Sequence, residues 1–356
     1  MTWNTHQRNL AILMGLGAAV LFGASAPLAK VMLDTVDPVM LAGLLYLGSG
    51  LGMALAKATQ TAMGRASSEA PLRKADLPWL MSALVVGGIA APIILMFGLG
   101  TTPASTAALL LNFEAVGTVI VARLMFKEAV GRGIWLALFL VTAGSVVLSV
   151  NAASGWGISP GILAILAACL LWGLDNNFTR NVSARDPISI VAIKGVGAGL
   201  FSIALAFIIG RDFPAMTTAF AAMLVGFVCY GLSIALYIRA LRDMGAARTG
   251  ALFGTAPFVG AAIGLAIFHD SLTVGFMVSV PLMVVGAVLL FREAHAHPHV
   301  HTSETHEHRH VHDDEHHDHA HEKPVEGAHS HPHEHEAVEH AHPHAPDTHH
   351  RHEHEE

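Results

Sequence analysis

The sequence predicts an all-α integral membrane fold: ten transmembrane helices arranged as two inverted five-helix repeats, followed by a disordered tail. Three observations lead there. The chain is 53% hydrophobic and 13% charged, against about 25% charge in an ordinary soluble domain. Hydropathy marks ten spans, at 10–30, 38–57, 78–98, 103–124, 132–150, 159–179, 187–209, 216–238, 246–268 and 273–291, each near the ~20 residues that cross a bilayer. Finally, one pattern occurs twice. At an offset of 142, Phe126 falls on Phe268, Glu128 on Asp270, Gly133 on Gly275 and Gly144 on Gly286.

The duplication reaches the front of each half. Leu21-Phe22-Gly23 and Lys30 match Leu171-Trp172-Gly173 and Arg180 at an offset of 150, and Asp37-Pro38 matches Asp186-Pro187 at 149. Three units are therefore expected: 1–150 and 151–292 as repeats, and 293–356 as tail. Five spans per repeat is an odd number, so the second copy must enter the membrane in the opposite sense. Secondary transporters share this architecture, with solute bound near the midplane at the repeat interface. Pro92 and Pro257 lie inside spans, where a proline kinks a helix.

Charge divides the chain at Arg292. Residues 1–292 carry 17 Lys/Arg and 11 Asp/Glu, and residues 293–356 carry 3 and 16. Near the span ends, 14 Lys/Arg fall on one side, between alternate spans. The other side has only Lys30 and Arg211, and Lys194 lies within a span. The positive-inside rule then puts both termini in the cytoplasm of a multi-pass protein in the cell's inner membrane. The two cysteines, Cys169 and Cys229, sit in apolar runs and form no CxxC motif, so they are read as core side chains.

These residues resemble the drug/metabolite transporter superfamily, specifically its EamA-type ten-helix proteins. There the fourth and ninth helices read as Pro-Val, about a dozen apolar residues, then an acid. Here the ninth has Pro257-Phe258 and ends at Asp270, and the fourth has Ala115-Val116 and ends at Glu128. The proline is missing from the first copy, and Asp stands for the usual Glu in the second. The resemblance implies a non-enzymatic exporter of amino acids, nucleotide-related metabolites, drugs or other small solutes.

Glu114 is the first candidate site residue. It lies eleven residues beyond Pro103, roughly 16 Å along a helix, which is the midplane of a ~30 Å core. An acid there marks function by default, as a proton-coupling group or a ligand for a cation. Thr118, one turn on, shares its face, whereas Asn112 faces elsewhere. In the sixth span Trp172, Asp175, Asn176 and Thr179 form an i, i+3, i+4, i+7 stripe, the face of a helix that lines a solute path or a neighbouring helix. Lys194 is seven residues into the seventh span. Its repeat counterpart is Leu45, so the charge is no requirement of the fold, and pairing with Asp175 or Glu114 would ease its burial.

The tail holds 23 of the 25 histidines. Candidate metal ligands are His295, His297, His299, His301, His306, His308, His310, His312, His316, His317, His319, His321, His329, His331, His333 and His335. Neutral imidazoles bind Zn, Ni or Co ions. The tract is polar and carries prolines, so it has no core of its own. Its HExxH match, His306–His310, is an accident of composition without an ordered helix. Two readings follow: a secondary transporter for a small solute, or a divalent-metal exporter or metal-regulated transporter that uses the tail. The bundle requires no cofactor in either. The expected partners are the lipid bilayer and the solute, with protons and a second copy in a homodimer kept open; no nucleic acid is called for.

Overall fold

A computed structural model describes residues 5–64, 69–126, 130–150, 159–244, 249 and 252–292, and within the tail 295–300, 304–310, 329–335 and 339–344. Ten apolar helices follow in order: α1 (Thr5–Met32), α2 (Pro38–Ala62), α3 (Lys74–Thr101), α4 (Ala104–Phe126), α5 (Arg132–Ser149), α6 (Pro160–Arg180), α7 (Pro187–Ile208), α8 (Met216–Met244), α9 (Ala256–Phe268) and α10 (Val274–Arg292). The first eight are long and apolar enough to cross a membrane. As described, α9 and α10 are shorter apolar helices. The protein is an all-α membrane bundle.

Helices α2 and α7 form its antiparallel seam. Small residues let the backbones meet, as membrane helix packing requires. A Cβ on Gly50 would lie 2.3 Å from the Val196 nitrogen, and one on Gly195 would lie 2.6 Å from the Gly50 Cα. Both ends of the seam are pinned in the same way. Asp37 caps α2 by accepting from the amides of Val39 and Met40, and it pairs with Arg211 at the end of α7 at 3.1 Å. Asp186 caps α7 by accepting from the Ile188 amide and pairs with Lys57 near the end of α2 at 2.7 Å. The duplicated Asp-Pro thus does the same work at opposite faces. Asp186 also accepts from the Ser189 hydroxyl, and its amide donates to the Ala70 carbonyl. Arg185 reaches Asp76 at 2.9 Å, so the α2–α3 and α6–α7 connections are joined on one face.

Four helices are interrupted. α3 holds a π-helical turn at Leu84–Ala90 and α8 one at Gly226–Leu232, again 142 residues apart. α4 breaks at Leu111–Asn112, between Ala104–Leu110 and Phe113–Phe126, and α9 opens after a turn at Gly254–Thr255. Pro92 and Pro257 follow the interruptions in α3 and α9. The breaks in α4 and α8 have no proline to announce them. In α4 the Asn112 side chain donates to the Leu109 carbonyl at 3.0 Å, so the break is satisfied from within.

The tail carries no apolar helix among its described residues. Its described stretches are four strands: β1 (His295–Val300), β2 (Glu304–His310), β3 (His329–His335) and β4 (Glu339–His344). β1 pairs antiparallel with β4, and β2 with β3. The His-x-His alternation has a period of two, which suits an extended chain.

Asp186 generates a prediction. Burial pushes its carboxyl up, but hydrogen bonds from Lys57 and Ser189, the Lys57 charge and the Ile188 amide outweigh it and hold the carboxyl below the usual Asp range. A lowered folded value stabilises above the unfolded pKa of ~3.9 and is lost as pH falls through the folded value. Asp186→Asn keeps a side-chain cap but loses the charged bond to Lys57, and should therefore lower the melting temperature of the detergent-solubilised protein by a few degrees at pH 7, from a contribution of about 1 kcal/mol. The gap from the native protein should narrow below pH ~4. An equal gap at pH 7 and pH 3.5 would contradict this assignment.

Candidate functional site

The break in α4 puts Glu114 in the first turn of a new helical segment, where the positive end of the helix dipole favours an anion. Its Oε1 accepts from the Asn176 side-chain amide at 2.8 Å. The same amide donates to the Thr118 hydroxyl at 3.1 Å, and that hydroxyl donates to the Glu114 carbonyl at 2.9 Å. α6 is held against α4 by Asn177, which donates to the Thr118 carbonyl at 3.0 Å. Among the described residues no Lys or Arg forms an ion pair with Glu114.

Asn176 is exposed where its helical neighbours are buried. It lies seven residues after Cys169 and eleven after Ile165, about two and three helical turns, so it points the same way. Both of those side chains are fully buried, yet Asn176 is exposed. Asn176 is four residues from the end of α6, toward the face with the Arg185–Asp76 and Lys57–Asp186 pairs.

The second pair lies beside it. Lys194 Nζ donates to both carboxylate oxygens of Asp175, at 2.6 and 2.9 Å, and to the Thr179 hydroxyl at 3.3 Å. Thr179 donates to Asp175 at 3.0 Å. Of the two acids open to Lys194, the structure gives it Asp175. The expected stripe is therefore split: Asn176 serves Glu114, while Asp175 and Thr179 serve Lys194. Trp172 turns to α3, where its indole N–H donates to the Gly87 carbonyl at 3.0 Å. Asn112 stays apart from the cluster at the α4 break.

Gly87 joins the parts. Its carbonyl, within the π-helical turn, also accepts from the Tyr46 hydroxyl at 2.9 Å. A Cβ on Gly87 would lie 2.0 Å from Asp175 Oδ2. From Tyr46 an aromatic wall continues: Tyr46 to Tyr230 at 5.9 Å, Tyr230 to Phe22 at 5.9 Å, Phe22 to Phe253 at 5.2 Å and Phe253 to Tyr237 at 4.9 Å between ring centroids. Tyr230 stands in the second π-helical turn. Of these residues the sequence marks only Phe22, and that as part of the repeat. The one available signal is that π-helical turns gather at functional sites, and they become visible only in three dimensions.

The opposite face is closed. Asp270, just past α9, accepts from the Ser105 amide at 2.9 Å and its hydroxyl at 2.7 Å, capping α4 from outside. Lys30 donates to the carbonyls of Leu99 and Thr102 at the end of α3, at 2.6 and 2.7 Å. The only two cations expected on that side, Lys30 and Arg211, are thus both engaged there. Glu128, the repeat counterpart of Asp270, lies outside the described residues, as do His301, His312, His316, His317, His319 and His321.

The EamA-like transporter family matches this chain twice, over residues 9–150 and 159–292, and the chain belongs to that family. The members of this family are membrane transporters, not enzymes. A protein named only as an uncharacterized transporter, from Methanothermobacter thermautotrophicus, is 27% identical over 288 residues, covering 77% of this chain and 84% of its own. A solved structure titled "Crystal structure of protein" shares the fold, with a TM-score of 0.57 and 20% identity over 79% of this chain and 95% of that one.

Gly87→Ala should displace Asp175 and disrupt its bond to Lys194, lowering the melting temperature. Gly100→Ala, where a Cβ meets nothing within 4 Å, should leave it unchanged. In the same assay Lys194→Met should cost about 3–5 kcal/mol by stranding a buried charge, and Lys194→Met/Asp175→Asn should recover much of it. Equal melting temperatures for Gly87→Ala and Gly100→Ala would show that Gly87 holds nothing in place.

Proposed function

We propose that this protein is a secondary transporter that exports a small solute across the cytoplasmic membrane by alternating access. Its two five-helix halves rock about the α2–α7 seam. Glu114 is the working group, taking in turn a proton and the cationic end of the solute. The observation that carries this reading is a midplane carboxylate, bonded to an inward yet exposed Asn176 and free of any ion pair among the described residues. Thr118 and Asn176 orient it. Asp175, Thr179 and Lys194 form a neutral pair that fixes α6 to α7, and Trp172, Tyr46 and Tyr230 present apolar faces to the solute. The positive-inside rule supports placing both termini and the open mouth in the cytoplasm.

The bonds of Lys30, Ser105 and Asp270 on one face and an exposed Asn176 toward the other support an inward-facing state with a water-filled hollow beside Glu114. Outward opening would release Asp270 from the α4 terminus. Metal transport through the bundle has no comparable support: among the described residues no three His, Cys, Asp or Glu side chains converge.

Proteoliposomes with an imposed pH gradient test the reading, using a panel of amino acids and small amines. Glu114→Gln should lower proton-driven flux at least about tenfold, the worth of one charge-assisted contact, while melting near the native temperature. Flux unchanged by Glu114→Gln would remove Glu114 from the mechanism.

A further inference from the structure

The two π-helical turns are repeat counterparts, but they are held differently. At the offset of 142, Gly87 falls on Cys229, Gly88 on Tyr230 and Pro92 on Ile234. In α3 the Ala91 amide reaches back five residues to the Val86 carbonyl. The next carbonyl, that of Gly87, would take its helical bond from residue 92, and Pro92 has no N–H to give. Tyr46 and Trp172 fill the gap, with a hydroxyl and an indole N–H at 2.9 and 3.0 Å. The same proline keeps α3 from closing into a regular helix, in which the Gly88 carbonyl would need an amide hydrogen from residue 92. The first turn is therefore locked by a pyrrolidine ring and two outside donors.

The second turn has none of these three holds. Trp172 falls on Phe22 at the offset of 150, and Tyr46 on Gly195 at 149. Phe22 has no N–H, and Gly195 has no side chain. A larger residue has no room at Gly195, where a Cβ would lie 2.6 Å from the Gly50 Cα. Ile234 keeps its amide hydrogen. The bonding that closes the turn differs too: Ser233 reaches back three residues, to the Tyr230 carbonyl, where its counterpart Ala91 reaches back five.

This turn also joins two differently anchored segments. Before it, α8 is seated on α2: a Cβ on Gly48 would run into the Met223 carbonyl, and one on Gly226 into the Leu45 carbonyl. Within and beyond it, α8 is tied to α1. Tyr230 shares a side-chain hydrogen bond with Ser25, and the Ser233 hydroxyl donates to the Ala18 carbonyl at 2.9 Å. A π-helical turn holds one residue more than the α-helix around it. Absorbing that residue rotates everything beyond by about 100°, one residue's share of a 3.6-residue turn.

We infer that the π-helical turn of α8 is the moving joint of the bundle, while that of α3 is fixed. When it closes into regular helix, Tyr230 swings out from between Tyr46 and Phe22. The inference rests on the transport reading for its purpose, which is to open and close the aromatic side of the solute path.

Hydrogen exchange of the native protein in liposomes compares the two turns directly. Peptides over residues 226–236 should exchange at least about tenfold faster than those over 84–94. Proteoliposome flux reads the consequence. Ile234→Pro, alone or with Phe22→Trp to supply the missing donor, gives α8 the lock of α3. Either variant should melt cooperatively yet carry less than about a tenth of the flux of Ile234→Ala, which keeps the amide hydrogen. Equal exchange in the two turns, or equal flux from Ile234→Pro and Ile234→Ala, would overturn the inference and leave the role of Glu114 standing. A native protein without flux would count against the transport reading alone, and the exchange comparison, which needs no solute, would still decide which turn moves.

Discussion

A polar group inside a bilayer has no water to turn to and must find its partner in the protein. Most of the bundle's interior follows from that constraint. Lys194 and Asp175 neutralise each other across α6 and α7. Asn177 ties α6 to α4 by spending its amide hydrogens on two carbonyls. The π-helical turn of α3 leaves the Gly87 carbonyl to two donors, Tyr46 and Trp172. Glu114 is the exception. It has amide and hydroxyl neighbours and an exposed asparagine beside it, but among the described residues no ion pair. In the proposed cycle a proton or a positively charged solute completes it.

The duplication distributes these features evenly. Each half caps its second helix with an Asp-Pro, and each of those aspartates meets a cation at the far end of the partner helix. Each half interrupts its third helix with a π-helical turn at the same place; the fourth helix of the first half breaks near its middle, and that of the second opens after a turn. The wall around the hollow is thus made from paired weak points. The seam of α2 and α7 is continuous and closely packed, which suits an axis. The chemistry is uneven where the architecture is even: Glu114 and Lys194 have no charged counterparts in the other repeat.

Much of this was legible in the sequence. The spans, the repeat and the midplane acid followed from hydropathy and spacing, and the i, i+3, i+4, i+7 stripe on α6 found three of the residues that gather around Glu114 and Lys194. The stripe did not tell which partner each would take, because that depends on the approach of α4 and α7. Trp172 shared the periodicity yet turned to α3. Asn112 proved to be a local cap. Tyr46, Tyr230 and Gly87 gave no sequence signal, since a π-helical turn reflects tertiary packing more than local propensity.

Accessibility of position 176 tests the central claim most directly. Asn176→Cys would be placed in a background with Cys169 and Cys229 replaced by alanine, in sealed membrane vesicles of known orientation. A membrane-impermeant maleimide should label it from the face that carries the Arg185–Asp76 pair and not from the face of Lys30 and Asp270. Failure to label from either face would mean that Glu114 sits in a dry bundle, and the hollow on which this account rests would not exist.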